Sequence, residues 1–354
     1  MIQDKNILVV GTGLIGTSIA LGLTARGLKV FLSDIDSLAL ENAIKVSGAT
    51  KYSNQDIGAV FVATPPANVA KVIAKAAMDH PNAVITDVAS VKGSIFRELE
   101  QLGTSNWDRI VGGHPMAGRE VSGAIGAQGN LFLGRPWVIA TSDLTSADAI
   151  STVRDLVELL GAFPVIRSIE EHDRAVALIS HTPQVVASVL AAELMDAEGS
   201  YIELAGQGIR DTIRIAGSDS KLWTEILSDN SQFTSQQVTQ VANHLLEFAS
   251  ALEQGNRDSV TAKLIKGNKG RDRLPGKHGS SQQSTAILAV RLDDKPGELA
   301  RLFTVAAQVN VNLEDVRIDH SLGQPTGLVE LTLAPNSVSV LKPALELEGF
   351  LVIS

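Results

Sequence analysis

A glycine loop that directly follows an apolar run is the feature that most restricts the fold of this chain. The run at 6–11 predicts a buried strand, the loop Gly11-Thr-Gly-Leu-Ile-Gly16 ends it, and a predicted helix comes next. In such a unit the first glycine permits a tight turn, the second lets backbone N–H groups approach a pyrophosphate, and the third brings the helix close to the sheet. We therefore predict a βαβ unit that binds a dinucleotide. The predicted contacts in the loop are Gly11, Gly13, Leu14, Ile15 and Gly16.

Short apolar runs continue to alternate with amphipathic stretches, which is typical of a parallel sheet with crossover helices. We predict a doubly wound α/β domain of the Rossmann type over residues 1–168. Its predicted strands are 6–11, 29–34, 59–64, 83–87, 109–112, 136–140 and 163–167. From residue 170 the pattern becomes helical, with long helices predicted at 173–197 and 232–254. A second, all-α domain is therefore expected at 169–266.

Composition excludes several classes of protein. The 354 residues suffice for two or three domains. The sequence has no cysteine, which excludes disulfides and thiolate catalysis, and we expect no metal site. The net charge of −9 argues against nucleic-acid binding, and no apolar run is long enough to predict a membrane span. Because no secretory leader pattern is present, we expect a cytoplasmic protein.

The last part of the sequence predicts a linker and a small α+β domain. Residues 267–284 are rich in glycine, serine and cations, which is typical of a solvated linker; the alternative is an ordered basic arm over an anionic ligand. Residues 285–354 then alternate in the order βαββαβ. This order predicts a ferredoxin-like domain.

Further cofactor contacts are predicted where strands end. Asp34 ends the second strand, where a carboxylate accepts hydrogen bonds from ribose hydroxyls and repels a 2′-phosphate. This favours NAD over NADP, and the alternative role for Asp34 is to cap the next helix. Thr64 and Pro65 end the third strand at the same edge of the sheet. We expect them to line the nicotinamide side of the site.

His114 lies in a second glycine-rich segment, Arg109-Ile-Val-Gly-Gly-His-Pro-Met-Ala-Gly-Arg-Glu120. The glycines allow a close approach of the backbone, and the proline stiffens the turn. Histidine has an ordinary pKa near 6.5, so its neutral form is available as a base. A base beside a redox cofactor predicts hydride chemistry, whereas an isolated histidine here would be a surface or structural residue.

Several segments, taken in order, are similar to those of the prephenate/arogenate dehydrogenases. They are 11–20, 87–92, 113–118 with Glu120, 180–183 and 210–223. The resemblance runs from residue 1 to about residue 260. The tail resembles an ACT regulatory domain at 294–301 and 310–315.

The resemblance implies NAD-dependent oxidative decarboxylation of prephenate to 4-hydroxyphenylpyruvate, a step of tyrosine biosynthesis. In this reaction C4 loses a hydride, a base takes the proton of the C4 hydroxyl, and carbon dioxide leaves as the ring becomes aromatic. Positioning and one base suffice, without a metal or a covalent intermediate. The resemblance implies that His114 is the base and that Ser90 forms hydrogen bonds near it; alternatively, Ser90 caps a helix predicted to start at residue 91.

For the substrate, the resemblance implies that Arg214 binds a carboxylate, which its planar guanidinium can do with two hydrogen bonds. The other implied substrate contacts are Glu120, Ser180, His181, Gln184 and Trp223. Trp223 is alternatively a core residue of its helix. Gln184 replaces a second histidine that prephenate-specific relatives often have. Because an amide can bind the keto group of prephenate or the ammonium of arogenate, both substrates stay open, with prephenate favoured by the ACT-like tail and by Asp34.

The resemblance also implies a homodimer and tyrosine as a feedback effector, bound at Asp294, Pro296, Gly297 and Asn312. The alternative is a purely structural tail. Two other classes of function stay open. A β-hydroxyacid dehydrogenase would need a lysine that residues 170–184 lack, and a non-enzymatic NAD sensor would give no reason for His114 and Arg214 together.

Overall fold

The computed structural model describes residues 5–117, 123–274, 285–320 and 326–353. The chain divides into two compact units, Met1–Asn243 and His244–Ser354, and the division falls within one long helix. The two units are described in turn.

An eight-stranded sheet forms the centre of the first unit, with the strand order β3-β2-β1-β4-β5-β6-β7-β8. Its strands are β1 (Ile7–Val10), β2 (Val30–Ser33), β3 (Thr50–Lys51), β4 (Ala59–Val62), β5 (Val84–Asp87), β6 (Ile110–Pro115), β7 (Pro136–Thr141) and β8 (Phe163–Ser168). The helices between them are α1 (Leu14–Thr24), α2 (Ser37–Ser47), α3 (Val69–Asp79), α4 (Gly93–Gln101) and α5 (Ala147–Leu159).

Two apolar cores pack against this sheet. Successive residues of β1 alternate between them, with Ile7 and Val9 in one core and Leu8 in the other. Since successive strand residues point to opposite faces, the cores lie on opposite faces of the sheet. The first core includes side chains of α1, α2 and α5, and the second includes those of α3 and α4. The result is the three-layer Rossmann-like fold that the sequence predicts.

All seven predicted strands of this sheet are confirmed, but two details of the prediction are wrong. The sheet is not wholly parallel, because β7 runs antiparallel to β6 while β8 is parallel to β7. A parallel crossover usually carries a helix, and the described part of the β6–β7 connection has only a short 3-10 turn, Ala124–Gly126. The short edge strand β3 was not predicted, because its two residues are exposed and form no apolar run.

Helices follow the sheet, as predicted. They are α6 (Ile169–Val176), α7 (Thr182–Glu193), α8 (Gly199–Ile202), α9 (Gln207–Ile213), α10 (Ser220–Asp229), α11 (Ser231–Glu253) and α12 (Arg257–Arg271). A π-helical turn, Ala177–His181, joins α6 and α7 into one continuous helix. A capping box begins it, since Ser168 Oγ accepts from the N–H of Glu171 and the Glu171 carboxylate accepts from the N–H of Ser168.

This continuous helix, Ile169–Glu193, is long and apolar enough to cross a membrane. Its buried face nevertheless carries His172, Asp173 and His181, which form hydrogen bonds within the first unit. The central helix of a folded domain has the same properties, and we assign it that role.

The second unit contains the end of α11, the helix α12 and a small α+β domain. The predicted linker at 267–284 is wrong at its start, because α12 extends to Arg271; residues 275–284 lie outside the described part. The small domain has β9 (Ala286–Asp293), α13 (Glu298–Gln308), β10 (Asp315–His320), β11 (Thr326–Leu333), α14 (Pro335–Leu347) and β12 (Leu351–Ile353). Its antiparallel sheet has the order β10-β11-β9-β12 around a single apolar core, so the predicted βαββαβ order is confirmed.

Candidate active site

A cavity of about 640 Å³ lies at the carboxyl ends of β1, β2 and β4. Five of the predicted cofactor contacts line it: Gly11, Gly13, Asp34, Thr64 and Pro65. Leu14 is the first residue of α1, so the N-terminus of this helix adjoins the cavity. The positive end of a helix dipole and the unpaired N–H groups of its first turn favour an anion there.

The three loop glycines are required for different reasons. Gly11 has φ +98°, and a Cβ there would lie 2.4 Å from the carbonyl oxygen of Ala63. A Cβ on Gly16 would lie 2.0 Å from the carbonyl oxygen of Gly11. A Cβ on Gly13 would meet nothing within 4 Å, so the fold itself leaves this position open. The space beside Gly13 suits a pyrophosphate that approaches the backbone.

Asp34 is held by the glycine loop. Its Oδ2 accepts hydrogen bonds from the backbone N–H of Thr12 at 2.6 Å and from the Thr12 hydroxyl at 2.7 Å, and its Oδ1 accepts from the N–H of Asp36 at 2.9 Å. Burial raises the pKa of Asp34, but these hydrogen bonds outweigh it and lower the pKa below its usual value. The alternative role as a helix cap is wrong, because Asp36 caps α2 by accepting from Leu38 and Ala39.

A buried polar atom without a partner also faces this region. Thr64 Oγ1 is buried and has no hydrogen-bond partner among the described residues. Buried hydroxyls are nearly always paired, so an unpaired one at a cavity wall suits a ligand that completes it. Together with the open space beside Gly13 and the oriented carboxylate of Asp34, it fits a dinucleotide.

His114 lies near the end of β6, and a buried ion pair holds the backbone before it. The Asp87 carboxylate accepts from Lys92 Nζ, and Lys92 Nζ also donates to the carbonyl oxygen of Gly113 at 2.8 Å. The N–H of Gly113 donates to Asp87 Oδ1 at 3.1 Å. A Cβ on Gly113 would lie 2.2 Å from the Asp87 carbonyl oxygen, and one on Gly112 would lie 2.9 Å from Lys92 Cδ. The two glycines therefore let β6 pack against the ion pair.

A chain of hydrogen bonds runs from His114 into the helical part. Nδ1 of His114 lies 2.8 Å from Nε2 of His172, and Nδ1 of His172 lies 2.8 Å from Oδ1 of Asp173. The Asp173 carboxylate also accepts from the backbone N–H of Lys92 at 2.9 Å and of Gly93 at 2.7 Å. Burial raises the pKa of Asp173, but these donors lower it below its usual value overall. Asp173 is therefore an anchored carboxylate at the end of the chain.

The surroundings keep His114 neutral. Burial lowers its pKa well below the usual value, and the nearby His172, Lys92 and His181 lower it further. Burial also lowers the pKa of Lys92, against the opposing effect of the Asp87 carboxylate. The contact between His114 and His172 uses Nδ1 of His114. Among the described residues, Nε2 of His114 has no hydrogen-bond partner. Nε2 is thus the ring nitrogen that remains for a ligand.

His181, in the π-helical turn, is buried with 1% of its surface exposed. Its Nδ1 lies 3.1 Å from Nδ2 of Asn230 and 3.2 Å from the hydroxyl of Thr234. Asn230 Nδ2 also donates to the carbonyl oxygen of Asp173 at 2.8 Å. Burial lowers the pKa of His181 to about 4. Since the amide nitrogen Nδ2 of Asn230 can only donate, Nδ1 of His181 is an acceptor and the proton of His181 lies on Nε2.

The predicted substrate contacts differ in their placement. Gln184 is buried, and its amide donates to Ser188 Oγ at 3.4 Å. Trp223 on α10 makes an edge contact with His181, with ring centroids 6.2 Å apart. Ser180 lies in the π-helical turn and is half-buried.

The remaining predicted residues are less closely tied to His114. Ser90 follows β5 and is half-buried; its alternative role as a cap is wrong, because α4 begins at Gly93 after Lys92. Arg214 is exposed on a short 3-10 helix that packs against α7. Glu120 lies outside the described residues.

The predicted effector residues all belong to the small domain. Asp294 and Pro296 are exposed between β9 and α13, and Gly297 has φ +94° at the start of α13. Asn312 is exposed and its amide donates to the Glu314 carboxylate at 2.9 Å. No group of three His, Asp or Glu side chains in the described part of the chain is placed to hold a metal ion.

Comparison with known proteins explains this arrangement. The family model for the prephenate dehydrogenase nucleotide-binding domain matches residues 19–166, and the model for its dimerization domain matches 168–266. The protein named "Probable prephenate dehydrogenase NovF" of Streptomyces niveus is 33% identical over 343 residues, which are 94% of each chain. The chain belongs to the prephenate dehydrogenase family.

Solved structures agree with this family. The crystal structure of arogenate dehydrogenase from Synechocystis has 29% sequence identity and a TM-score of 0.69, covering 76% of this chain and 99% of that one. The structure of Aquifex aeolicus prephenate dehydrogenase in complex with hydroxyphenyl propionate and NAD+ has 24% identity and a TM-score of 0.69, covering 75% and 97%. At that identity the second comparison supports the fold alone.

Four residues of this family member's candidate site were not predicted from the sequence: His172, Asp173, Asn230 and Thr234. Asp87 and Lys92 were noted only as the ends of the segment 87–92, and their ion pair was not predicted. One signal was available, because His172 and Asp173 are adjacent polar residues in the same helical segment as Ser180 and His181. The pairing of Asp87 with Lys92 had no signal of its own, since two charges five residues apart are usually a solvated pair.

Proposed function

We propose that this chain is an NAD-dependent dehydrogenase that converts prephenate to 4-hydroxyphenylpyruvate and carbon dioxide. Family membership supports the reaction class. The observation that carries the mechanism is a neutral histidine near the end of β6 whose Nδ1 is engaged by His172 and whose Nε2 is open among the described residues. The parallel strands β1, β4, β5 and β6 end at one edge of the sheet, so His114 and the glycine loop share that edge.

NAD fits the cavity at the glycine loop. The loop and the start of α1 would hold its pyrophosphate, and Asp34 would accept hydrogen bonds from its adenosine ribose. When bound, NAD supplies the acceptor for the hydride. Asp34 keeps one negative charge at this wall, since its pKa is lowered, and this charge disfavours the 2′-phosphate of NADP.

The chain's own residues then handle the proton and the charges of the substrate. His114 accepts the proton of the C4 hydroxyl at Nε2, and the lowered pKa means that the neutral base is present at neutral pH. The buried Nε2–H of His181 is a donor for a substrate oxygen. Arg214 supplies a positive charge for a carboxylate, and Ser90 supplies a hydroxyl that can donate and accept.

Arogenate is the second candidate substrate. The observation that favours it is Gln184, which is buried near His181 and neutral, so its amide oxygen can accept a hydrogen bond from the ammonium of arogenate. The same amide can donate to the keto group of prephenate.

The test is the formation of NADH by the purified chain with prephenate or arogenate and with NAD or NADP. We expect turnover with prephenate and NAD. The variant His114→Asn removes the base, so kcat should fall by about 10²-fold or more while KM changes little. Turnover of neither substrate would refute the function, and an unchanged kcat in His114→Asn would refute the assigned base.

The small domain and the assembly belong to the same proposal. We infer an ACT-type role for residues 285–354, with tyrosine bound near Pro296 and Gly297, and a homodimer through the helical region. Tyrosine should then lower the rate of the full chain, and an unchanged rate at saturating tyrosine would leave a structural role. Light scattering tests the dimer. A cytoplasmic location is the last part of the proposal, and cell fractionation tests it.

A further inference from the structure

A line of hydrogen bonds joins His114, His172 and Asp173. A reaction that needs only His114 as its base does not require the other two side chains. The two imidazole rings are nearly perpendicular, with an interplanar angle of 76° and centroids 5.1 Å apart. In this arrangement Nδ1 of His114 and Nε2 of His172 are 2.8 Å apart, so one of the two nitrogens carries a proton and donates it to the other in a hydrogen bond. His172 is 1% exposed and Asp173 is 3% exposed, so water does not compete for these contacts.

The protons of this line can be assigned from Asp173. A carboxylate only accepts, and its oxygens already receive the N–H groups of Lys92 and Gly93. Nδ1 of His172 must therefore carry a proton and donate it to Asp173. In neutral His172 this leaves Nε2 as an acceptor, so Nδ1 of His114 carries the proton between the rings. The lone pair of His114 then lies on Nε2.

We propose that His172 and Asp173 form a proton relay behind His114. The proposal rests on the function proposed above. As the O–H bond of the substrate breaks, its electron pair stays on oxygen and its proton binds Nε2 of His114. The Nδ1–H bond of His114 then breaks, and that proton binds Nε2 of His172. His114 is neutral again with its proton on Nε2, and His172 is an imidazolium beside the Asp173 carboxylate. When product leaves, Nε2 of His114 loses its proton to water. The proton on Nε2 of His172 then returns to Nδ1 of His114.

The charges around the two rings favour transfer of the proton from His114 to His172. Lys92 and Asp87 face the backbone before His114 from β5 and the following loop, and His181 faces the same cluster from the π-helical turn. Among the described residues, the carboxylate in direct contact with either ring is Asp173, which contacts His172. A positive charge is therefore better placed on His172 than on His114, because opposite charges in contact stabilise each other strongly where water is excluded. The lowered pKa of His114 agrees with this preference.

A glutamine at position 172 separates the relay from simple orientation. The amide oxygen of His172→Gln can stand near the position of Nε2 and accept the Nδ1–H of His114, so the tautomer is kept. The amide does not take up a proton at neutral pH, so the relay is lost. The variant His172→Phe removes both functions. Substitution of Asp173 is less informative, because an amide there would turn an N–H towards the backbone donors of Lys92 and Gly93.

The experiment has one kinetic and one spectroscopic arm on the full chain. Single-turnover rates with NAD are measured in mixtures of H₂O and D₂O; two protons in flight give a curved dependence on the deuterium fraction, and one gives a straight line. We expect a curve for the wild type, and for His172→Gln a straight line with a rate about 10- to 100-fold lower. The half-buried His80 lies at the end of α3, and His80→Gln is the matched control with an unchanged rate and curve.

The second arm is ¹⁵N NMR of the histidine-labelled chain without NAD, with His114 assigned from the spectrum of His114→Asn. We expect His114 to be neutral with its proton on Nδ1 in the wild type and in His172→Gln, and to become a mixture of tautomers in His172→Phe. A rate or a curve in His172→Gln equal to that of the wild type overturns the relay. So does a proton on Nε2 of His114 in the resting chain, whatever its activity. Turnover of neither substrate would instead overturn the proposed function.

Discussion

Two substitutions in the glycine loop separate what the fold requires from what the cofactor requires. At Gly13 the backbone has φ −70° and ψ −164°, which alanine adopts without strain, and its Cβ would meet no atom within 4 Å. Gly13→Ala should therefore leave the free energy of unfolding unchanged or raise it by about 0.5 kcal/mol, since alanine restricts the unfolded chain. At Gly16 a Cβ would lie 2.0 Å from the Gly11 oxygen and 3.1 Å from the Ala63 Cβ. Relief of this overlap costs about 1–3 kcal/mol, from which about 1 kcal/mol of helix propensity is recovered.

Binding of NAD should be sensitive to Gly13→Ala, although the stability of the NAD-free chain is not. A methyl group at position 13 occupies space that the pyrophosphate would use, and the loss of one hydrogen bond to a charged group costs about 1.5–3 kcal/mol. This corresponds to about a 10- to 100-fold weaker Kd for NAD. Urea unfolding of the NAD-free chain gives the stability, and titration calorimetry gives the Kd. The reasoning is refuted if Gly13→Ala unfolds more easily than the wild type without NAD, or if it binds NAD with the affinity of the wild type.

Three further predictions follow from single side chains. Asp34→Ser removes a charge-assisted acceptor, so the ratio of kcat/KM for NAD over NADP should fall by about tenfold or more; an unchanged ratio would contradict the role of Asp34. Because the pKa of His114 is lowered, the acidic limb of the pH profile of kcat/KM should lie well below pH 6.5, and a limb at or above 6.5 would contradict this. The pKa of His181 is lowered from 6.5 to about 4 in the folded chain. As the pH drops, the unfolded chain therefore binds a proton at His181 before the folded chain does. The free energy of unfolding should fall by about 3 kcal/mol between pH 6.5 and pH 4. His181→Asn keeps an acceptor for Asn230 and cannot titrate, so denaturant unfolding should show a pH dependence smaller by that amount; equal slopes for the two proteins would refute the assignment.

Local patterns made most of the fold predictable. The central strands of the first sheet, such as β4 and β5, are short apolar runs that become buried on both faces, and such runs are visible without tertiary information. The glycine loop was predictable because two of its constraints are local to one strand–turn–helix unit: Gly11 has φ +98°, and a Cβ on Gly16 would overlap the carbonyl oxygen of Gly11. The direction of β7 was not predictable, because nothing in residues 136–141 distinguishes a parallel strand from an antiparallel one.

The candidate site was predictable only in part, because its parts come from distant segments. His114 was identified by a motif, but its partner His172 lies 58 residues further along the chain, and the Asp173 carboxylate binds backbone N–H groups about 80 residues before it. No local periodicity reports such contacts. The sequence alone also assigns His114 an ordinary pKa, whereas burial, together with the nearby His172, Lys92 and His181, lowers that pKa.

The π-helical turn explains why helical periodicity alone would misplace His181. In an α-helix each residue turns the chain by about 100°, so the nine steps from His172 to His181 would put these two side chains on opposite sides. The buried residues instead follow the order His172 and Asp173, Val176 and Ala177, then His181 and Thr182, with a spacing of five across the turn Ala177–His181. One extra residue in the turn brings His181 back to within about 80° of His172. The same face of one helix therefore supplies both the partner of His114 and the buried donor at His181. An unbroken α-helix would separate them and would expose His181, whose Nδ1 binds Asn230 and Thr234 only from this side.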